Sequence, residues 1–158
     1  MADVHVITWR AAYSGLIPQH YLDSLDAATI AARWSQWLGR QTREFSWVAE
    51  EGDRVVAYAT GGPEREQDRE YRFEIYGLYV LPGFQGRGLG TALVRALAGA
   101  FAPHRGVLIW ALRDNLKARD FYQKLGGRMV REHVLLLEGL ELPEVGFGWE
   151  RASELAAG

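Results

Sequence analysis

Apolar and polar positions along this chain follow two periods, one near 3.6 residues and one of two, and the changes of period divide it into elements. In residues 2–14, Val4, Ile7, Ala11 and Ala12 recur with Trp9 and Tyr13 at a broadly helical spacing, which predicts a first helix. Gly15-Leu16-Ile17-Pro18 turns the chain, and a short helical piece carrying Tyr21, Leu22 and Leu25 leads to Asp26. Asp26 is a good N-cap for a helix over 27–38, with Gly39 as its C-cap. Aromatics dominate cores, so Trp9, Tyr13, Tyr21, Trp34 and Trp37 read mainly as core, with one or two lining a pocket. Residues 45–60 change to a strand pattern around Glu51-Gly52-Asp53, which predicts a tight hairpin whose second strand is broken by Gly61-Gly62-Pro63. Residues 64–72 are nearly all charged or polar with alternating sign and read as a solvated loop or hairpin tip without assigned chemistry, although placed where it could border an acceptor.

The apolar, aromatic run to Val80 reads as a buried strand that Pro82 and Gly83 stop. A helix over 91–101 follows, with Leu93, Leu97 and Phe101 on one face, and Pro103 ends it. Residues 106–111 form a continuous apolar run, expected at the middle of a sheet. Asp114 or Asn115 caps a helix in which Ala118, Phe121, Tyr122 and Leu125 share a face, and Gly126 terminates it. Two last strands are predicted at 130–138 and 145–151, separated by 139–143, and residues 152–158 are expected to fray. Strands, crossover helices and terminal strands in this order describe one α+β domain over 1–151 with a mixed sheet.

Composition removes several classes of function. A chain of 158 residues suits one domain and needs no staple. Without cysteine there is no disulfide framework, thiol nucleophile or thiolate zinc site. The 18 basic and 20 acidic residues, net −2, supply no chain-wide attraction for nucleic acid. No apolar run approaches transmembrane length and the opening residues lack a signal-peptide pattern, so a cytoplasmic protein without membrane partners is expected. His5, His20, His104 and His133 show no metal-ligand spacing, and no metal is expected.

Between Val80 and Thr91 four glycines, Gly83, Gly86, Gly88 and Gly90, join a strand to a helix. Such a loop turns backbone N–H groups inward beside the positive end of the helix dipole, and a phosphate or pyrophosphate is its natural guest. The loop lacks the lysine of a P-loop, and Thr91 stands where the third glycine of a dinucleotide fingerprint belongs. What remains, Gln85-Gly86-Arg87-Gly88-Leu89-Gly90, resembles the Q/R-x-x-G-x-G/A pyrophosphate loop of the GNAT superfamily of acyl-CoA-dependent N-acyltransferases. Tyr79-Val80-Leu81-Pro82 ahead of it and the opening Trp9-Arg10-Ala11-Ala12-Tyr13 extend the similarity. So does Asn115-Leu116-Lys117-Ala118-Arg119-Asp120-Phe121-Tyr122-Gln123-Lys124-Leu125-Gly126, similar to the family's N-x-x-A-x-x-F-Y-x-K-x-G stretch.

The resemblance implies a GNAT-like fold, a mixed, mostly antiparallel central sheet flanked by helices, and the helix pair of residues 2–38 over the acceptor site. The family usually begins with a short strand, whereas this chain opens inside the first helix, so that edge strand is expected to be missing. The activity implied is N-acetyl transfer from acetyl-CoA to a primary amine by direct attack in a ternary complex. A non-catalytic acyl-CoA sensor or scaffold is the alternative, and a homodimer is left open. The acceptor itself cannot be read from fold and cofactor motif.

Acyl transfer needs a grip on CoA, a donor for the oxyanion, a base for the ammonium and an acid for the departing thiolate. By the resemblance, the backbone of Gln85, Gly86, Arg87, Gly88, Leu89 and Gly90 and the Thr91 hydroxyl bind pyrophosphate, with the Arg87 side chain either assisting or plain surface. The main chain of Leu78, Tyr79 and Val80 takes the pantetheine arm, and the Val80 N–H faces the acyl oxygen. Tyr122 is the leaving-group acid, since a phenol is protonated at neutral pH. Asn115 and Ala118 border the cofactor, Asn115 being equally placed as a helix cap. Strand alternation sets Glu74, Tyr76, Leu78 and Val80 on one face. A carboxylate on an apolar central strand needs work or a partner, so Glu74 is either the base or half of an ion pair with Arg72 or another cation.

Overall fold

The structure is a computed structural model that describes residues 1–38 and 44–157. Three helices lead the chain: α1 (Ala2–Ala12), α2 (Gln19–Ser24) and α3 (Ala27–Leu38). Asp26 caps α3, its Oδ2 accepting from the Thr29 amide and hydroxyl at 2.7 Å each. The expectations for the Gly39 C-cap and the Trp37 side chain fall outside the described residues. The sheet strands are β1 (Phe45–Glu51), β2 (Arg54–Pro63), β3 (Tyr71–Val80), β4 (Gly106–Leu112), β5 (Arg128–Leu137) and β6 (Leu140–Trp149). They stand in the order β1-β2-β3-β4-β6-β5. Every neighbouring pair is antiparallel except β3 and β4, which are parallel. The remaining helices are α4 (Leu89–Gly99), α5 (Leu116–Lys124) and α6 (Ala152–Ala157). The mixed, mostly antiparallel sheet flanked by helices is therefore present, with β1 at one edge and no strand ahead of α1 among the described residues.

Each face of the sheet carries its own apolar layer. On one side Leu93, Val94 and Leu97 of α4 meet Ala57, Ile75, Val107, Ile109 and Phe147, while Tyr122 of α5 and Leu155 of α6 complete the cluster. On the other, Val4 of α1 packs with Val56, Tyr58 and Leu81, and Ile17 and Leu22 with Leu112 and Leu142. Each large side chain buried in these layers contributes about 1.5–3 kcal/mol. No described helix is long and apolar enough to cross a membrane.

Four expectations are corrected. Residues 152–158 do not fray over 152–157: Ala152 and Leu155 of α6 are 0% and 1% exposed. The amides of Ala152 and Ser153 donate to the carbonyls of Arg105 and Pro103 at 2.7 and 3.1 Å, so the helix entry is tied down. Gly61-Gly62-Pro63 does not break β2, which continues through it paired with Ile75, Glu74 and Phe73 of β3. Gly61 is there for close approach, since a Cβ would lie 2.6 Å from the Glu74 carbonyl oxygen. Residues 140–143 belong to β6 rather than to a long separator, because Glu138 and Gly139, both at positive φ, make a two-residue hairpin turn.

The fourth correction reaches the site. Thr60 pairs with Gly77 but Gly61 pairs with Ile75, so Tyr76 is an extra residue in β3. This bulge reverses the alternation. Ile75, Leu78 and Val80 pack in the α4-side layer. Glu74 and Tyr76 instead line a cavity on the α1 side with Trp9 and Tyr13.

Candidate active site

β3 and β4 pair only from Tyr71↔Gly106 to Ile75↔Ile109, and beyond that point they part. Further along β3, the Leu81 amide donates to the Val56 carbonyl at 3.0 Å, which makes Leu81 and Val56 a hydrogen-bonded antiparallel pair. By alternation the N–H and C=O of Val80 and Leu78 point away from β2, into the gap where β4 has departed. Buried backbone groups without partners call for one. A side chain meets part of that need: Gln85 Nε2 donates to the Val80 carbonyl at 2.9 Å, and Lys117 Nζ donates to Gln85 Oε1 at 2.5 Å across the mouth.

The gap opens into a cleft of about 360 Å³ whose walls include Leu78, Tyr79 and Val80, the glycine loop, and the first turns of α4 and α5. Gly86 and Gly88 have φ of 75° and 81°, the left-handed region where glycine is unstrained, and a Cβ at either would meet nothing within 4 Å. The first helical bond of α4 runs from the Ala92 amide to the Gly88 carbonyl, so the amides before it are free of the helical ladder. An open concave backbone with free donors at a helix start fits a pyrophosphate. Gln85, Leu89, Gly90, Thr91, Asn115 and Ala118 also line this cleft. Arg87 does not; its guanidinium stacks over Phe84 at 5.0 Å and lies 3.9 Å from Glu51 at the surface. The Asn115 side chain is taken as a cap, Oδ1 accepting from the Ala118 amide at 3.1 Å. Thr8 of α1 adds to the cleft wall a buried Oγ1 that has no hydrogen-bond partner among the described residues.

Tyr122 is 6% exposed at the inner end of the cleft. Burial pushes its phenol well above its ordinary range, with neighbouring Tyr79 adding to the rise. Tyr79 and Tyr13 are raised mainly by burial as well, and for Tyr13 the electrostatic cost of a second negative group beside Tyr79, Tyr122 and Glu144 adds to it. Three protonated phenols thus meet where the cleft joins a second cavity of about 440 Å³.

Glu74 faces that second cavity, 1% exposed. Its partner is Arg65, not Arg72: Arg65 Nη2 binds Oε1, while Nε and the Arg65 amide donate to Oε2 at 3.0 and 3.3 Å. Across the cavity His133 stacks on Trp110, ring centroids 3.8 Å apart, and its Nε2 meets Glu144 Oε2 at 2.8 Å. Arg65, His133, Glu144, Thr8 and Lys117 were not singled out by sequence reasoning as binding or catalytic residues. A two-residue turn at 138–139 sets His133 opposite Glu144, and reading that turn is the signal that finds the pair. Among the described residues no group of three or more His, Cys, Asp or Glu is placed to hold a metal ion.

Comparison with known proteins gives the family and the fold. The sequence model of the acetyltransferase (GNAT) family matches residues 7–127. The chain is 31% identical over 157 residues to the uncharacterized N-acetyltransferase YuaI of Bacillus subtilis, covering 98% of this chain and 88% of that protein. It is 31% identical over 111 residues to the uncharacterized N-acetyltransferase Rv2669 of Mycobacterium tuberculosis, 69% of this chain and 68% of the other. Among solved structures, an acetyltransferase from Thermus thermophilus superposes with a TM-score of 0.70 at 22% identity, over 94% of this chain and 88% of that one. YncA from Salmonella typhimurium, solved with acetyl-CoA, gives 0.62 at 21% identity, over 94% and 86%.

Proposed function

The chain belongs to the GNAT acetyltransferase family, and from that premise we propose that it moves an acetyl group from acetyl-CoA to a primary amine by direct attack in a ternary complex. The observation that carries this reading is the early parting of β3 from β4 above a glycine loop, with Tyr122 buried at the inner end of the gap. In this reading the loop from Gln85 to Gly90 and Thr91 hold the pyrophosphate, with Arg87 contributing main chain only. Leu78, Tyr79 and Val80 border the pantetheine arm, the Val80 N–H donates to the acyl oxygen, and Asn115 and Ala118 fix the start of α5 beside it. Acetyl-CoA, once bound, supplies the activated acyl group.

Tyr122 is the leaving-group acid: burial keeps its phenol protonated, so it donates a hydrogen bond to the sulfur as it leaves as thiolate and stabilises the charge that develops there. Glu74 takes the amine's proton directly or through water. A carboxylate offers about four acceptor positions, and Arg65 fills three of them, which leaves one at Oε1 for that task.

The test is calorimetry with acetyl-CoA followed by a thiol-release screen of primary amines. Micromolar binding and amine-dependent release are expected. Gly88→Val should lower acetyl-CoA affinity by about tenfold or more, since a β-branched side chain is strained at positive φ and crowds the cradle. Binding without release for any amine would leave an acyl-CoA-binding module instead of an enzyme.

A further inference from the structure

We infer that the second cavity selects a small primary amine with an aromatic or apolar body, its ammonium seated on Glu144; this deepens the acetyltransferase reading and rests on it. The cavity adjoins the cofactor cleft and shares with it Tyr13, Leu78, Tyr79, Trp110 and Tyr122, so a ligand there reaches the place where an acyl group would lie. Its apolar wall also includes Trp9, Ile17, Leu135 and Leu142. Flat rings of Trp9, Tyr13 and Trp110 favour a planar or aliphatic body over a heavily hydrated one.

The charges on the wall are unequal in what they leave free. Glu74 has both oxygens on Arg65. Glu144 is 13% exposed by its side chain, and only its Oε2 is met, by His133; no protein donor meets Oε1 among the described residues. A half-satisfied carboxylate behind aromatic walls is costly unless a cation completes it. An ammonium, with three donors and one charge, does so. Arg65 and Glu66 of the loop over 64–70 form one side of the cavity, and Arg131 pins that loop to the sheet through Asp68 at 3.1 Å and Glu70 at 2.5 Å. That wall favours a small amine over an extended polymer.

The experiment measures acetyl-CoA binding by calorimetry and then compares kcat/KM for phenethylamine, glycine, spermidine and kanamycin. Phenethylamine is expected to exceed each of the others by about tenfold or more, as burial of one ring allows. Glu144→Gln should raise its KM about tenfold or more, with acetyl-CoA affinity within about twofold of the parent. Glu144→Asp should recover part of that loss. Inhibition by 2-phenylethanol, which has the ring but no charge, should be equal in the parent and Glu144→Gln. If acetyl-CoA binds but a hydrophilic amine is preferred, or phenethylamine is not turned over, or Glu144→Gln leaves KM unchanged, the inference is overturned while the acetyltransferase reading stands. If acetyl-CoA does not bind, that reading falls and takes this one with it.

Discussion

At the scale of single residues, the phenol of Tyr122 and the carboxylate of Glu74 have opposite surroundings. Tyr122 has apolar neighbours and another phenol, so it stays neutral. Tyr122→Phe should lower kcat by roughly 10²-fold, the usual worth of a positioned acid, while acetyl-CoA affinity stays within about twofold; single-turnover kinetics and calorimetry separate the two. Glu74 depends on one partner that reaches in from an exposed loop. Arg65→Ala leaves a buried carboxylate without its main donors and should cost about 1–3 kcal/mol in urea unfolding, with a slower acyl transfer if the loop also carries the cavity wall. Unchanged stability would mean that water replaces the guanidinium at no cost.

At the scale of elements, what was legible in the sequence is what lies contiguous in it. The loop from Gln85 to Gly90 and the stretch from Asn115 to Gly126 each hold several candidate site residues in one run, and the structure brings both runs, Arg87's side chain excepted, to the same cleft. Pairs that depend on register were hidden. Arg65 and Glu74 meet because a loop folds back on β3, and His133 and Glu144 because of a hairpin turn that Pro143 disguises. The bulge at Tyr76 was invisible because an aromatic fits either face of a strand, and without it Glu74 seemed to share a side with Val80. Helix α6 was missed because six residues carry too little pattern; Ala152, Leu155 and Ala156 are one apolar stripe that has meaning only against α4. Leu155→Ala should therefore cost about 2–5 kcal/mol, the price of a cavity in a layer, as measured by denaturant midpoint. A loss under about 0.5 kcal/mol would return the segment to a dispensable tail.

At the scale of the whole molecule, pH and cofactor act on the same assembly. His5 of α1 is stacked on Trp9, donates or accepts at Tyr58 Oη at 2.8 Å, and is held down to about 4 by burial. Its folded form resists protonation while the unfolded chain binds a proton near pH 6.5, so the unfolded state gains as pH falls. Stability should be level above pH 6.5 and decline between about 6.5 and 4, by on the order of 2 kcal/mol after allowance for the solvent that reaches the ring. His5→Gln should flatten that part of the curve in a pH series of thermal melts. The parted strands act on the molecule differently. With so few rungs between β3 and β4, the sheet is two leaves, β1-β2-β3 and β4-β6-β5, sewn along half of their common edge. The stitching is reinforced where α6, which grows out of β6, lies on α4, which lies on β1, β2 and β3, and where Arg131 of β5 holds Asp68 and Glu70 in the loop between β2 and β3. A pantetheine chain in the open half would supply rungs that the polypeptide withholds, so the amides of Leu78 and Val80 should exchange hydrogen quickly alone and slowly with CoA. The leaves would then separate less readily on heating as CoA is added, by about 2.7 kcal/mol at a hundred times its dissociation constant.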